Sequence, residues 1–183
     1  MSDAIKWGLG LSCAARGRVT APVGVQGAKP LGLLRTLVLG YGNPGRQDDG
    51  LGPAAAAEIN RLGWPNVIAF DNYQLNIEDA MDVAAHDVVW FVDASKAGPS
   101  PYEVRDVMPA SSVEFTSHIV RPEAILAIAR QCYGGSPTAF LLAIRGYEFE
   151  FIEALTPSAA DNLRAALAML TDRIGAVHAP AVP

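Results

Sequence analysis

Residues 36–53 read TLVLGYGNPGRQDDGLGP. The stretch opens with a short β-branched and leucine-rich run that stops at Gly40, the pattern of a buried strand. It then passes through glycines, Pro44 and two aspartates into LGPAAAAEINRL (51–62), which has the composition and periodicity of a helix. A buried strand feeding a helix through a glycine-rich loop is the opening unit of a sheet wrapped by helices.

The same alternation continues downstream. NVIAFD (66–71) predicts a second strand, NIEDAMDVAA (76–85) a second helix, and DVVWFVD a third strand ending at Asp93. The linker ASKAGPSP (94–101) is too short for a crossover helix, so YEVRDVM (102–108) is expected to return antiparallel at a sheet edge. RPEAILAIARQCYG (121–134) reads as a helix with Pro122 in its first turn and Gly134 past its end. TAFLLAIR (138–145) is the last strand, and SAADNLRAALAMLTDRI (158–174) a closing amphipathic helix. The expected class is α/β: a doubly wound, mostly parallel twisted sheet of about five strands, helices on both faces, and an antiparallel edge strand. One domain is expected over 36–174, between a flexible extension at 1–35 and a frayed tail at 175–183.

Composition narrows the function. Half of the 183 residues are hydrophobic, enough for a closed core, yet no apolar run approaches the roughly 20 residues of a membrane span. The net charge is −5, but residues 1–35 carry Lys6, Arg16, Arg18, Lys29 and Arg35 against Asp3, so the remainder stands at −9. An acidic body without a basic stripe is a poor nucleic-acid binder. Two cysteines, Cys13 and Cys132, offer neither a disulfide framework nor a thiolate cage, which fits a reducing cytoplasm. Cys132 falls on the Ile125, Ile128, Ala129 stripe and is expected in the core.

Gly40, Gly42 and Gly45 satisfy the G-x-G-x-x-G spacing of a dinucleotide site, and Asp71 could serve as a ribose-binding acid. Electrostatics opposes that reading: Asp48 and Asp49 occupy the approach to the helix terminus, where they would repel a pyrophosphate. A cation suits the loop better. One of the two aspartates suffices for capping, so Asp48 is assigned to the loop and Asp49 to a ligand. Asp93 ends a central strand at the rim where open α/β sheets bind ligands. If strands one and three are neighbours, Asp49 and Asp93 share one crevice, and close carboxylates favour a cation. His86 precedes strand three and His178 lies in the tail, which leaves His118, in the loop FTSHIVRP, as the histidine at the rim. Two carboxylates and a neutral imidazole suit nickel or zinc better than calcium. No G-x-S-x-G elbow exists, and Ser117 has no evident partner, so a covalent hydrolase is not expected.

These residues resemble the [NiFe] hydrogenase maturation proteases. The likeness rests on VLGYGNPGRQDDGLGP, FVDA, TSHIVRPEAILAIARQCYG and AIRGYEFEFIEALTP, and spans about 36 to 174. It implies an α/β endopeptidase that acts in the cytoplasm, as a monomer, on a hydrogenase large-subunit precursor. The enzyme would remove a C-terminal extension after nickel insertion. It further implies that Asp49, Asp93 and His118 contact the nickel, which arrives with the precursor, and that they carry the catalytic function. The extension at 1–35 lies outside the resemblance, and Arg121, Phe151 and Ile152 depart from it. Two other readings remain: a nucleotide-binding module built on Gly40, Gly42 and Gly45, and a maturation scaffold that docks the precursor without cutting it.

Overall fold

The computed structural model describes residues 34–111 and 120–178. Five strands and four α-helices follow the expected alternation. They are β1 (Thr36–Tyr41), α1 (Leu51–Leu62), β2 (Val67–Asn72), α2 (Asp79–Ala85) and β3 (Val88–Ser95), then β4 (Tyr102–Asp106), α3 (Pro122–Tyr133), β5 (Thr138–Arg145) and α4 (Pro157–His178). A short 3-10 turn, Gln47–Gly50, leads into α1.

The sheet order is β2-β1-β3-β5-β4, parallel throughout except that β4 pairs antiparallel with β5. Successive strands leave β1 in opposite directions, to β2 on one side and β3 on the other, so the topological switch lies between β1 and β3. A crevice opens at the carboxyl ends of the strands on either side of such a switch. Alternation along the strands fills two cores. Val38, Trp90, Val92 and Leu142 face α1 and α4, while Leu37, Leu39, Val89 and Phe91 face the α2 and α3 side.

Helix ends follow their expected chemistry. Gly63 and Gly134 adopt left-handed conformations just past α1 and α3, and Pro122 opens α3. Two expectations are corrected. The helix expected to stop at Ile174 runs through His178, where the imidazole Nε2 and the buried Thr36 Oγ1 pair at 2.9 Å and tie the last turn to the start of β1. Cys132 is exposed rather than in the core: the buried face of α3 ends at Ala129, and its last turn carries Gln131, Cys132 and Tyr133 in exposed positions. Cys13 lies outside the described residues. Among the described residues no helix is long and apolar enough to cross a membrane.

Candidate active site

Close packing dictates the glycines of the first loop. A Cβ on Gly52 would stand 2.4 Å from Tyr41 O and 2.5 Å from Val92 O, so α1 rests directly on the backbones of β1 and β3. A Cβ on Gly42, whose φ is +140°, would stand 2.0 Å from Asp49 O. The loop is thus folded onto its own chain, and the first-turn residues Leu51, Gly52 and Pro53 are buried. The 3-10 turn Gln47–Gly50 stands ahead of the α1 terminus with Asp48 and Asp49 in it, and two carboxylates there oppose a pyrophosphate.

The two adjacent aspartates have separate roles. Asp48 is fully buried. Its Oδ2 accepts the Tyr147 N–H at 2.7 Å, the Glu148 N–H at 3.1 Å and the Thr156 hydroxyl at 2.9 Å, and its Oδ1 accepts the Thr156 N–H at 2.8 Å. Burial opposes its ionisation, yet these donors outweigh burial and hold its pKa below the ordinary carboxylate value. Thr156 in turn accepts the Ala159 N–H at 3.3 Å and caps α4. Asp48 is therefore the clamp between the first loop and the connection 146–156. Gln47 reinforces it: its amide donates to Glu148 at 3.1 Å and accepts from Glu150 N at 2.9 Å, while its backbone N–H donates to Ile152 O at 2.9 Å. These bonds hold Gln47 at φ +46°, a strained conformation for a residue with a Cβ.

Asp49 points elsewhere. Its Oδ2 accepts the Asn43 N–H at 3.1 Å, and Asn43 is itself set by its own bonds to Gly45 N at 2.9 Å and the Tyr73 hydroxyl at 2.7 Å. Across the switch, Asp93 Oδ1 accepts the adjacent Ala94 N–H at 2.7 Å. β1 and β3 are neighbours, as expected, and Asp49 lies near enough to Asp93 for its charge to act on it. Burial, joined by the negative charge of Asp49, pushes the Asp93 pKa up to about 6 against the counteracting Ala94 N–H and nearby Tyr41 hydroxyl. The Tyr41 pKa is raised in the same place, by burial first and then by Asp93.

Asp49 accepts one backbone N–H, and Asp93 accepts the Ala94 N–H together with the Tyr41 hydroxyl; the lone pairs that remain are those with which the two carboxylates would hold a divalent cation. Among the described residues no three His, Cys, Asp or Glu side chains gather into a fuller metal site. His118, the expected third member, lies outside the described residues, as does Ser117. His86 and His178 sit at the amino ends of the strands: His86 Nδ1 contacts Asp82 O at 2.6 Å just before β3, and His178 pairs with Thr36. Tyr41 and the brace formed by Gln47, Asp48 and 146–156 were not foreseen from sequence. The Thr156-Pro157 cap ahead of an alanine-rich run was the one available signal.

No protein-family model matches the chain, and no curated protein matches it. Solved structures do. The hydrogenase maturating endopeptidase HybD of Escherichia coli aligns with a TM-score of 0.61 at 22% identity, covering 77% of this chain and 92% of that one. A [NiFe] hydrogenase maturation protease, HycI of Thermococcus kodakarensis, gives 0.61 at 20% identity over 77% and 92%. The hydrogenase 2 maturation peptidase of a Thaumarchaeota archaeon gives 0.57 at 20% identity over 77% and 98%. The chain therefore has the fold of the [NiFe] hydrogenase maturation endopeptidases.

Proposed function

We propose that this protein is an endopeptidase that removes the C-terminal extension of a [NiFe] hydrogenase large-subunit precursor once nickel is in place. It would act in the cytoplasm as a monomer. The observation that carries the reading is the meeting of Asp49 and Asp93 at the switch crevice of a maturation-endopeptidase fold. Nickel belongs to the substrate. Asp49, Asp93 and His118 would contact it, so that a precursor without metal could not bridge to the enzyme. Substrate-borne nickel would supply Lewis acidity at the crevice. Hydrolysis adds one water across the scissile bond, leaving a new carboxylate on the mature subunit and a new amine on the released peptide.

The test is to mix the protein with nickel-loaded and nickel-free precursor and follow the large subunit by intact-mass spectrometry. Only the nickel-loaded form should shorten. Asp49→Ala, Asp93→Ala and His118→Ala should each abolish the shortening while preserving the circular dichroism spectrum. Full cleavage by any of the three variants, or of the nickel-free precursor, would sink the assignment.

A further inference from the structure

The connection after β5 carries three aromatic residues at alternate positions, Tyr147, Phe149 and Phe151, and each lies against a cation. Arg145 stands 5.3 Å from the Tyr147 ring, Lys96 4.5 Å from Phe149, and Arg46 5.4 Å from Phe151. None of the three cations has a carboxylate within salt-bridge range among the described residues, although Glu148 and Glu150 interleave with the aromatics and Glu153 follows them. Arg46 commits one guanidinium N–H to Phe149 O at 3.3 Å, and its Nε–H has no acceptor among the described residues. Most of its donor capacity is unspent.

The placement of these cations matters as much as the absence, among the described residues, of a carboxylate in salt-bridge range. Arg46 is three residues before Asp49 and Lys96 three residues after Asp93, so each segment that brings a carboxylate to the crevice also brings a positive charge to its flank. Gly146 N bonds Ser95 O at 3.0 Å, and the Arg145 guanidinium bonds Lys96 O, which fixes the aromatic row beside the end of β3. Phe151 is 83% exposed, Ile152 53% and Tyr147 44%. Large apolar surface that open, beside cations with no carboxylate partner among the described residues, matches a polypeptide that is both apolar and negatively charged.

We propose that the Arg46, Lys96 and Arg145 row over Tyr147, Phe149 and Phe151 is a docking wall for an extended, acidic and apolar segment of the client polypeptide. This deepens the endopeptidase reading and rests on it. The wall selects by charge and holds the client chain alongside the Asp49–Asp93 crevice.

The test uses two dye-labelled, amidated peptides of roughly twelve residues, one alternating Glu with Leu and Gly, the other with Lys in place of Glu, and reads fluorescence anisotropy on the full chain. The wild type should prefer the glutamate peptide by roughly five- to tenfold, the scale of two or three partly exposed charge pairs, and the preference should fade as salt rises. Lys96→Glu, at an exposed position, should erase most of it, and Arg46→Glu with Lys96→Glu should reverse it. An unchanged circular dichroism spectrum and melting temperature of the double variant separate this reversal from loss of fold. Binding of neither peptide, equal binding, preference for the lysine peptide, or a preference that survives Lys96→Glu would each overturn the wall. The assay needs neither nickel nor cleavage. Precursor cleavage without charge preference would thus remove the wall alone, and charge preference without cleavage would remove the endopeptidase reading alone.

Discussion

Replacing Asp48 should damage the fold more than replacing either crevice carboxylate. Asp48→Ala deletes four hydrogen bonds to a fully buried carboxylate and strands three backbone N–H groups and a hydroxyl. At about 1 kcal/mol net for each lost bond, the cost is about 4 kcal/mol, near the upper end for a single substitution. Asp48→Asn separates charge from shape. An amide oxygen at the Oδ2 position keeps three donors, but the amide nitrogen then faces the Thr156 N–H, so the cost should be about half as large. The pH dependence has a defined sign: the folded-state pKa is lowered, so the stabilisation is fully present above about pH 4 and is lost as the pH falls through the folded value. Urea unfolding followed by tryptophan fluorescence reads this directly. With a slope of about 2 kcal/mol/M, Asp48→Ala should lower the midpoint by about 2 M at pH 7. A midpoint within about 0.5 M of the parent would refute the clamp.

Asp93→Asn should act in the opposite direction. The folded pKa of about 6 lies above the ordinary 3.8, so Asp93 favours folding fully below about pH 4 and loses that contribution as the pH rises through 6; the variant should be more stable by about 1–3 kcal/mol at pH 7 and match the parent near pH 4. Equal melting temperatures at pH 7 would show that Asp93 is not strained. Gly52→Ala drives a methyl group into Tyr41 O and Val92 O and should cost about 3 kcal/mol, read by calorimetry; a parent-like melting temperature would show that α1 can lift off the sheet freely. His178→Gln should flatten part of the stability profile below about pH 6.5, because burial lowers the His178 pKa and the neutral-ring stabilisation is lost as the pH falls; an unchanged profile would discount the Thr36 pairing.

Sequence periodicity was sufficient for β1, β3, β5, α1 and α3, because their apolar residues repeat at the spacing that the two cores need. The doubly wound pattern also made β1 and β3 neighbours, which is how the sheet is ordered, and the short linker after β3 made β4 the antiparallel edge strand. Cys132 failed the same logic: a helical stripe continues past the point where the surface it packs on ends. The end of α4 was misread because Gly175 looks like a stop, while the contact that extends the helix comes from Thr36, 142 residues away. The brace was invisible for a related reason. Its bonds run from backbone N–H groups to side chains about a hundred residues distant, and an irregular connection has no period to read. His118 is a sequence expectation that falls outside the described residues.

The clamp at Asp48 joins residues 108 positions apart. A chain still emerging from the ribosome can pair β1 with β2 and β3 long before Thr156 has been made, but it cannot yet lock the turn that carries Asp49. The end of the sheet that carries Asp49 and Asp93 is thus among the last features to set during synthesis, because its brace waits for residues made about a hundred positions later.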